Sequence, residues 1–241
     1  WTGPGAPVGA WSTGGSLNTA RTNIANAGTQ TSALGFGGDP APTKALTESY
    51  NGSNWTEVND LNTGRNTMGG SGASNTAALC FGGTIDPNGT ELWNGSNWTA
   101  VNDMATGRIY LSGAGTTTAT IAGATAGTTT SALTFGGANP PYAQTESWNG
   151  TNWTEVADLS AAKQAMGAAG TSNTSALGFG GTSPITANTE EWNGSSWAEV
   201  ANLSVARRQL GGAGTVDSAL AFGGDVPPYS AATEEWSSSS D

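Results

Sequence analysis

The tripeptide Phe-Gly-Gly occurs five times, beginning at Phe36, Phe81, Phe135, Phe179 and Phe222, with separations of 45, 54, 44 and 43 residues. After each copy comes a variable stretch, then Thr-Glu, with an aromatic residue two places after the glutamate. These pairs are Glu48 and Tyr50, Glu91 and Trp93, Glu146 and Trp148, Glu190 and Trp192, and Glu234 and Trp236. Five residues after the first four aromatics stands a second tryptophan (Trp55, Trp98, Trp153, Trp197), followed six later by Leu61, Met104, Leu159 or Leu203. Four further on lies Arg65, Arg108, Lys163 or Arg207, and Trp11, Leu17 and Arg21 keep the same spacing near the start of the sequence. A unit of this size cannot bury its own apolar face, so a chain built this way must stack its copies against one another.

Each unit reads as four strands. A small-residue segment such as 210–215 forms strand a, and Ala-Leu-x-Phe forms strand b, with Leu and Phe on one face and Ala with x on the other. Thr-Glu-x-Trp forms strand c. Strand d runs from the second tryptophan, and the spacing of three between Trp55, Val58 and Leu61 suggests an irregular or bulged strand. Asn-Gly-Ser/Thr between c and d predicts a tight turn, because Asn and Gly tolerate positive φ. Four short antiparallel strands per unit make a propeller blade. The expected fold is all-β, a five-bladed propeller of residues 11–241, with residues 1–10 as an extension or tether.

Phase predicts how the ring closes. Trp11 opens a strand d with no a, b or c before it, and Trp236 ends a strand c with no d after it. The N-terminal strand would therefore complete the C-terminal blade and cover its edge; the alternative is a piece of a longer array. In the third unit, Arg108 lies 27 residues before Phe135. The sequence there is duplicated, and an insertion is expected at about 117–128, in the a–b turn.

Composition narrows the chemistry. Seven basic against eighteen acidic residues give a net charge of −11, which repels nucleic acid and anionic lipid. No apolar run approaches the ~20 residues of a membrane-spanning helix. With no histidine and a single cysteine, the chain lacks the commonest metal ligand and general base, and no cofactor or metal is expected. Cys80 reads as a small buried thiol. The adjacent carboxylates Glu190-Glu191 and Glu234-Glu235 point to opposite faces of a strand, so neither pair flanks one glycosidic bond. The repeated Glu48, Glu91, Glu146, Glu190 and Glu234 are expected to pair with Arg21, Arg65, Arg108, Lys163 and Arg207, linking strands or blades.

The double glycine, the Glu-x-aromatic, the second tryptophan and the basic residue after it resemble the kelch repeat and the galactose-oxidase-like propellers that share it, over residues 11–236. The Gly, Ala, Thr and Ser-rich wording of "TEEWNGSSW" and "SALGFGG" is similar to kelch-like proteins of marine bacteriophages and bacterial surfaces. The resemblance implies a propeller with a binding or structural role. The copper chemistry of galactose oxidase needs histidine ligands, which this chain lacks. A sialidase-like tyrosine nucleophile is not evident either, since Tyr50 replaces a repeat tryptophan.

The b–c loops vary most. They carry Asp39, Lys44, Asp86, Asn139, Tyr142, Asp225 and Tyr229, and their prolines and tyrosines suit recognition. The expected function is a non-enzymatic virion-surface or extracellular binding module, an adhesin or decoration protein. It would hold a glycan or envelope component by its loop face, with other virion or surface proteins as partners. The alternative is an architectural subunit of a capsid, tail or fibre; a carbohydrate-active enzyme is disfavoured.

Overall fold

In a computed structural model, residues 14–40, 45–110, 124–138, 140, 142–182, 184–225 and 230–238 are described. Among the described residues, nineteen strands form five antiparallel sheets, each in sequential order. Blade one comprises β1 (Ala25–Thr29), β2 (Ser32–Phe36), β3 (Thr47–Tyr50) and β4 (Trp55–Val58). Blade two comprises β5 (Gly69–Ser74), β6 (Ala77–Phe81), β7 (Thr90–Trp93) and β8 (Trp98–Val101). β9 (Ala124–Thr128), β10 (Ser131–Phe135), β11 (Thr145–Trp148) and β12 (Trp153–Val156) make blade three. Blade four is β13 (Gly167–Ser172), β14 (Ser175–Phe179), β15 (Thr189–Trp192) and β16 (Trp197–Val200). Blade five has three described strands, β17 (Gly211–Gly214), β18 (Ser218–Phe222) and β19 (Thr233–Ser237). The chain is a five-bladed β-propeller. Trp11 and the extension at 1–10, on which the expected closure and tether fall, lie outside the described residues.

The first strands are innermost: β1 lies on β5, β5 on β9, β9 on β13 and β13 on β17. Their small residues are required by that approach. A Cβ on Gly212 would stand 2.2 Å from Ala168 O and 2.7 Å from Phe179 in the neighbouring blade. The Phe-Gly-Gly glycines serve a different end. In all five copies both have positive φ, +64 to +67° and then +95 to +116°, which ends strand b and turns the chain into the b–c loop.

The core lies between blades. Leu34 and Phe36 of blade one pack on Ala78, Cys80, Trp93 and Trp98 of blade two. Leu79 and Phe81 meet Ala132 and Trp148; Leu133 and Phe135 meet Ala176 and Trp192. Phe36 and Trp98 stack edge-on at 4.9 Å, Phe81 and Trp153 at 5.1 Å, and Phe135 and Trp197 at 4.6 Å. The indoles of Trp98, Trp153 and Trp197 donate back to Thr47, Thr90 and Thr145 Oγ1 of the preceding blade, at 2.9 to 3.0 Å. Burying an indole of this kind removes roughly 200 Å² from water, about 5 kcal/mol as an upper bound.

A charged clamp crosses every junction that precedes a blade. Glu91 on β7 receives Arg65 Nη2 at 2.5 Å and the Asn62 amide at 2.8 Å, both from the connection leaving β4. Glu48 likewise takes Arg21 (2.8 Å) and Asn18 N (2.7 Å), and Glu190 takes Lys163 (2.6 Å) and Ser160 N (2.8 Å). Glu146 pairs with Arg108 and Glu234 with Arg207, with Ala105 N and Ser204 N at 2.7 Å. The arginine Nη1 groups also cap loop carbonyls, as Arg108 does at Gly136 and Gln144. The single charged nitrogen of Lys163 bonds the carboxylate and, among the described residues, caps no loop carbonyl. Burial holds the Arg108 guanidinium below its usual pKa, with Glu146 opposing that shift.

Three local expectations are corrected. Strand d is a regular four-residue strand, with Tyr50 opposite Trp55 and Thr47 opposite Val58. Leu61 lies beyond its end, where its amide bonds Ala45 O at 3.0 Å, so the spacing of three spans a strand and its exit. In the c–d turn only the glycine has positive φ, +95° at Gly52. Asn51 is there for its side chain, whose Oδ1 accepts the amides of Ser53 and Asn54 at 3.0 and 2.9 Å. In blade three, Ala124–Thr128 is strand a, paired with β10 across the same two-residue a–b turn as in blade one. The extra sequence therefore precedes β9, in the d–a connection, and residues 111–123 of it lie outside the described residues.

Candidate binding face

The b–c loops and the d–a connections share one end of the ring. Backbone bridges tie them together at Thr22 and Asp39, Ile109 and Ala138, Gln164 and Thr182, and Arg208 and Asp225. The opposite end carries the c–d turns, in which Asn-Gly-Ser/Thr recurs four times around the same Asn-centred hydrogen bonds.

On the variable end, the acidic candidates are engaged by their own protein. Asp39 Oδ2 accepts Asn66 Nδ2 at 2.5 Å and Asn23 Nδ2 at 3.3 Å, and Asn66 Oδ1 accepts Thr84 Oγ1 at 2.6 Å. That chain joins blades one and two. Asp86 Oδ1 accepts the Gly89 amide at 3.1 Å, and its Oδ2 stands 3.5 Å from Arg65 Nη1. Asp225 Oδ2 accepts Arg208 Nε and Nη2 at 2.9 and 2.7 Å. Half-buried Tyr142 exchanges backbone hydrogen bonds with its surroundings, including Lys163 N to its carbonyl at 3.0 Å. Lys44, Asn139 and Tyr229 lie outside the described residues. Asp39, Asp86 and Asp225 sit in separate loops, and no three His, Cys, Asp or Glu side chains among the described residues converge as a metal site.

This end also offers apolar side chains to solvent. Of five large hydrophobic side chains exposed among the described residues, four are here: Ile85 and Ile185 in b–c loops, and Tyr110 and Val205 in d–a connections. Ile85 is 69 % exposed and holds φ at +77°, a strained conformation for a β-branched residue. A second set of strained positions recurs two places after each basic residue. Asn23, Thr67, Tyr110, Ala165 and Gln209 all have φ of +53 to +59°. Their amides reach between blades, Thr67 N to Asn23 O at 3.3 Å and Gln209 N to Ala165 O at 2.8 Å. Sequence reasoning looked for ligands in the b–c loops and missed Tyr110 and Val205. The signal available was the absence of any consensus beside the repeated basic residue, two places after it at Tyr110 and two places before it at Val205.

The carboxylates of the clamps are not free for catalysis. Glu190 is buried against Lys163, while Glu191 beside it on β15 faces the other way and is half-exposed. Burial pushes the Cys80 thiol up to about 12, against the pull of the nearby Arg65 charge, so at neutral pH it is a thiol and a poor nucleophile. No protein-family model matches the sequence, and a comparison with curated proteins finds no match either.

Proposed function

We propose that the chain is a non-catalytic binding module of the kelch-like type, which docks onto a protein partner through the end of the propeller carrying the b–c loops and d–a connections. The observation that carries this reading is the asymmetry of the two ends. Ile85, Tyr110, Ile185 and Val205 are exposed on one, and near-identical polar turns occupy the other. Aliphatic side chains displayed around already satisfied acids suit a protein surface better than a sugar, which asks for aromatic platforms and open hydrogen-bonding groups. The resemblance of the repeat wording to kelch-like phage and bacterial surface proteins is what supports the kelch type and a place on a virion or cell surface. A glycan remains the second reading, favoured by Tyr142 at the loop end.

The test uses immobilised protein against two probe sets, detergent-solubilised bacterial envelope proteins and purified surface polysaccharides. The Ile85→Asp/Val205→Asp variant is expected to lose saturable binding to the protein set, whereas Ser53→Asp/Ser96→Asp on the opposite end keeps it. Binding lost only in the second variant overturns the choice of face. Polysaccharide binding abolished by Tyr142→Ala, with no protein binding, moves the function to the glycan reading.

A further inference from the structure

In blades one to four, the strand-b side chains are covered by the blade that follows. Leu34, Leu79, Leu133 and Leu177 are at most 1 % exposed, and Phe36, Phe81, Phe135 and Phe179 are buried with them. In blade five, Leu220 is 40 % exposed and Phe222 is half-buried. Thr233, opposite Phe222 on β19, is exposed, whereas Thr47, Thr90, Thr145 and Thr189 are buried. A Cβ on Gly37, Gly136 or Gly180 would press on the carbonyl of Arg65, Lys163 or Arg207 at 2.5 to 2.7 Å; on Gly223 it would meet only Ser230 O, 3.9 Å away in its own loop.

The facing wall, on blade one, is open in the same way. A Cβ on Gly178 would stand 2.7 Å from Phe135 of the preceding blade. At Gly35, the same position in blade one, it would meet only Trp55 and Ile24 of its own repeat, at 3.5 to 4.0 Å. A cleft of about 570 Å³ occupies this seam, with Ile24, Ala33, Gly35 and Trp55 on one side and Ala213 of β17 on the other. Opposite Gly35, blade one carries Asn26, where blades two and five leave room for their neighbour with Gly70 and Gly212.

The formed junctions show what such a wall receives. Ala78, Cys80 and Trp98 take Leu34 and Phe36 from an extended strand, and the Trp98 indole donates to a threonine hydroxyl on the same blade as that strand. Ala33, Gly35 and Trp55 are the same three positions in blade one. The cleft falls within the range of about 300–1,000 Å³ that suits a small ligand or a short segment of chain, and is far too small for a blade. We propose that the seam between blades five and one is a binding slot for an extended segment of a partner protein, with a leucine and a phenylalanine two residues apart and an acceptor in reach of Trp55 Nε1. Alternate residues of a strand share a face, so the slot selects on that spacing, and the net charge of −11 selects against acidic flanks. None of the lining residues belongs to a b–c loop, so this site is separate from the loop end.

The probe is a fluorescein-labelled peptide, Ser-Ala-Leu-Ala-Phe-Gly-Gly, which copies residues 218–224. Its control, Ser-Ala-Ala-Leu-Phe-Gly-Gly, has the same composition but sends Leu and Phe to opposite faces. Saturable anisotropy with the first and none with the second is the expected result. Gly35→Phe is expected to fill the slot and abolish binding while melting no lower than wild type, because a Cβ there makes only ordinary contacts. Hydrogen exchange on the wild type needs no variant: the peptide should protect amides at 24–35. Equal binding of both peptides, no binding at millimolar peptide, undiminished binding by Gly35→Phe or unchanged exchange overturns the proposal. Binding seen only with Leu220→Ala/Phe222→Ala would mean that the chain's own strand fills the seam, and a dimer by light scattering that a second copy does; either overturns it.

Discussion

Replacing Arg65 by methionine isolates what one clamp contributes. The substitution keeps most of the side-chain volume and removes the Nη2 bond to Glu91 at 2.5 Å, together with Nη1 bonds to Asp86 O and Gly89 O at 3.2 and 2.8 Å. Glu91 is then buried without its cation, although Asn62 N, Asn62 Nδ2 and Thr63 N still donate to it at 2.8 to 3.2 Å. Removing one partner of a buried pair costs about 3–5 kcal/mol. The three remaining donors put this site at the lower end, about 3 kcal/mol, or roughly 6–12 °C in Tm for a chain of this length. Urea unfolding followed by tryptophan fluorescence measures it. Adding Glu91→Gln removes the stranded charge while leaving an acceptor for the amides, so the double variant should be more stable than the sum of the singles by about 2 kcal/mol. A loss below about 1 kcal/mol for Arg65→Met, or simple additivity in the cycle, would refute the reasoning that the pair holds the blades together.

Thr47→Val strips the acceptor from the Trp98 indole, which is 5 % exposed, and is expected to lower stability by about 1–2 kcal/mol in the same assay. Lys163→Arg gives blade four the planar donor found at the other four clamps; with loop carbonyls at hand it should raise Tm by a few degrees. Glu234 is desolvated by its partial burial, which alone would raise its pKa, but the Ser204 amide and Arg207 outweigh this and hold it lower than usual. Its contribution is therefore complete above about pH 4.3, the unfolded value, and is lost as pH falls through the folded one. Wild type should lose more stability than Glu234→Gln between pH 5 and pH 3. Cys80, buried with its pKa up at about 12, should react with a thiol reagent such as Ellman's only after denaturation; rapid labelling of the native chain would contradict that burial.

The number of blades and their strand order were legible because Phe-Gly-Gly, Glu-x-Trp and the basic residue recur at fixed separations, and a separation is a property of one chain. What was illegible depends on the neighbouring blade. Thr47 reads as an ordinary strand threonine until Trp98, 51 residues later, is seen to donate to it. Asp39 reads as an open ligand until Asn66, from the connection leaving blade one, closes on it. The insertion in blade three was misplaced because two similar segments compete for one strand position, and only pairing with β10 decides between them. The exposed Ile85 and Val205 were invisible for a related reason: nothing in the order of residues says which apolar side chain is left without a blade to cover it.

The charged clamps also bear on how such a chain can change length. Each uses a glutamate from one repeat and a cation from the connection before it, so every junction is chemically interchangeable with the next. A recombination event that duplicates or deletes one whole unit would leave every remaining clamp carboxylate with a cation. The local chemistry thus places no ceiling on repeat number. What one blade presents to the next, Leu and Phe of strand b against the small residues and tryptophans of its neighbour, is likewise the same from junction to junction, so a unit could be added or removed without inventing a new contact.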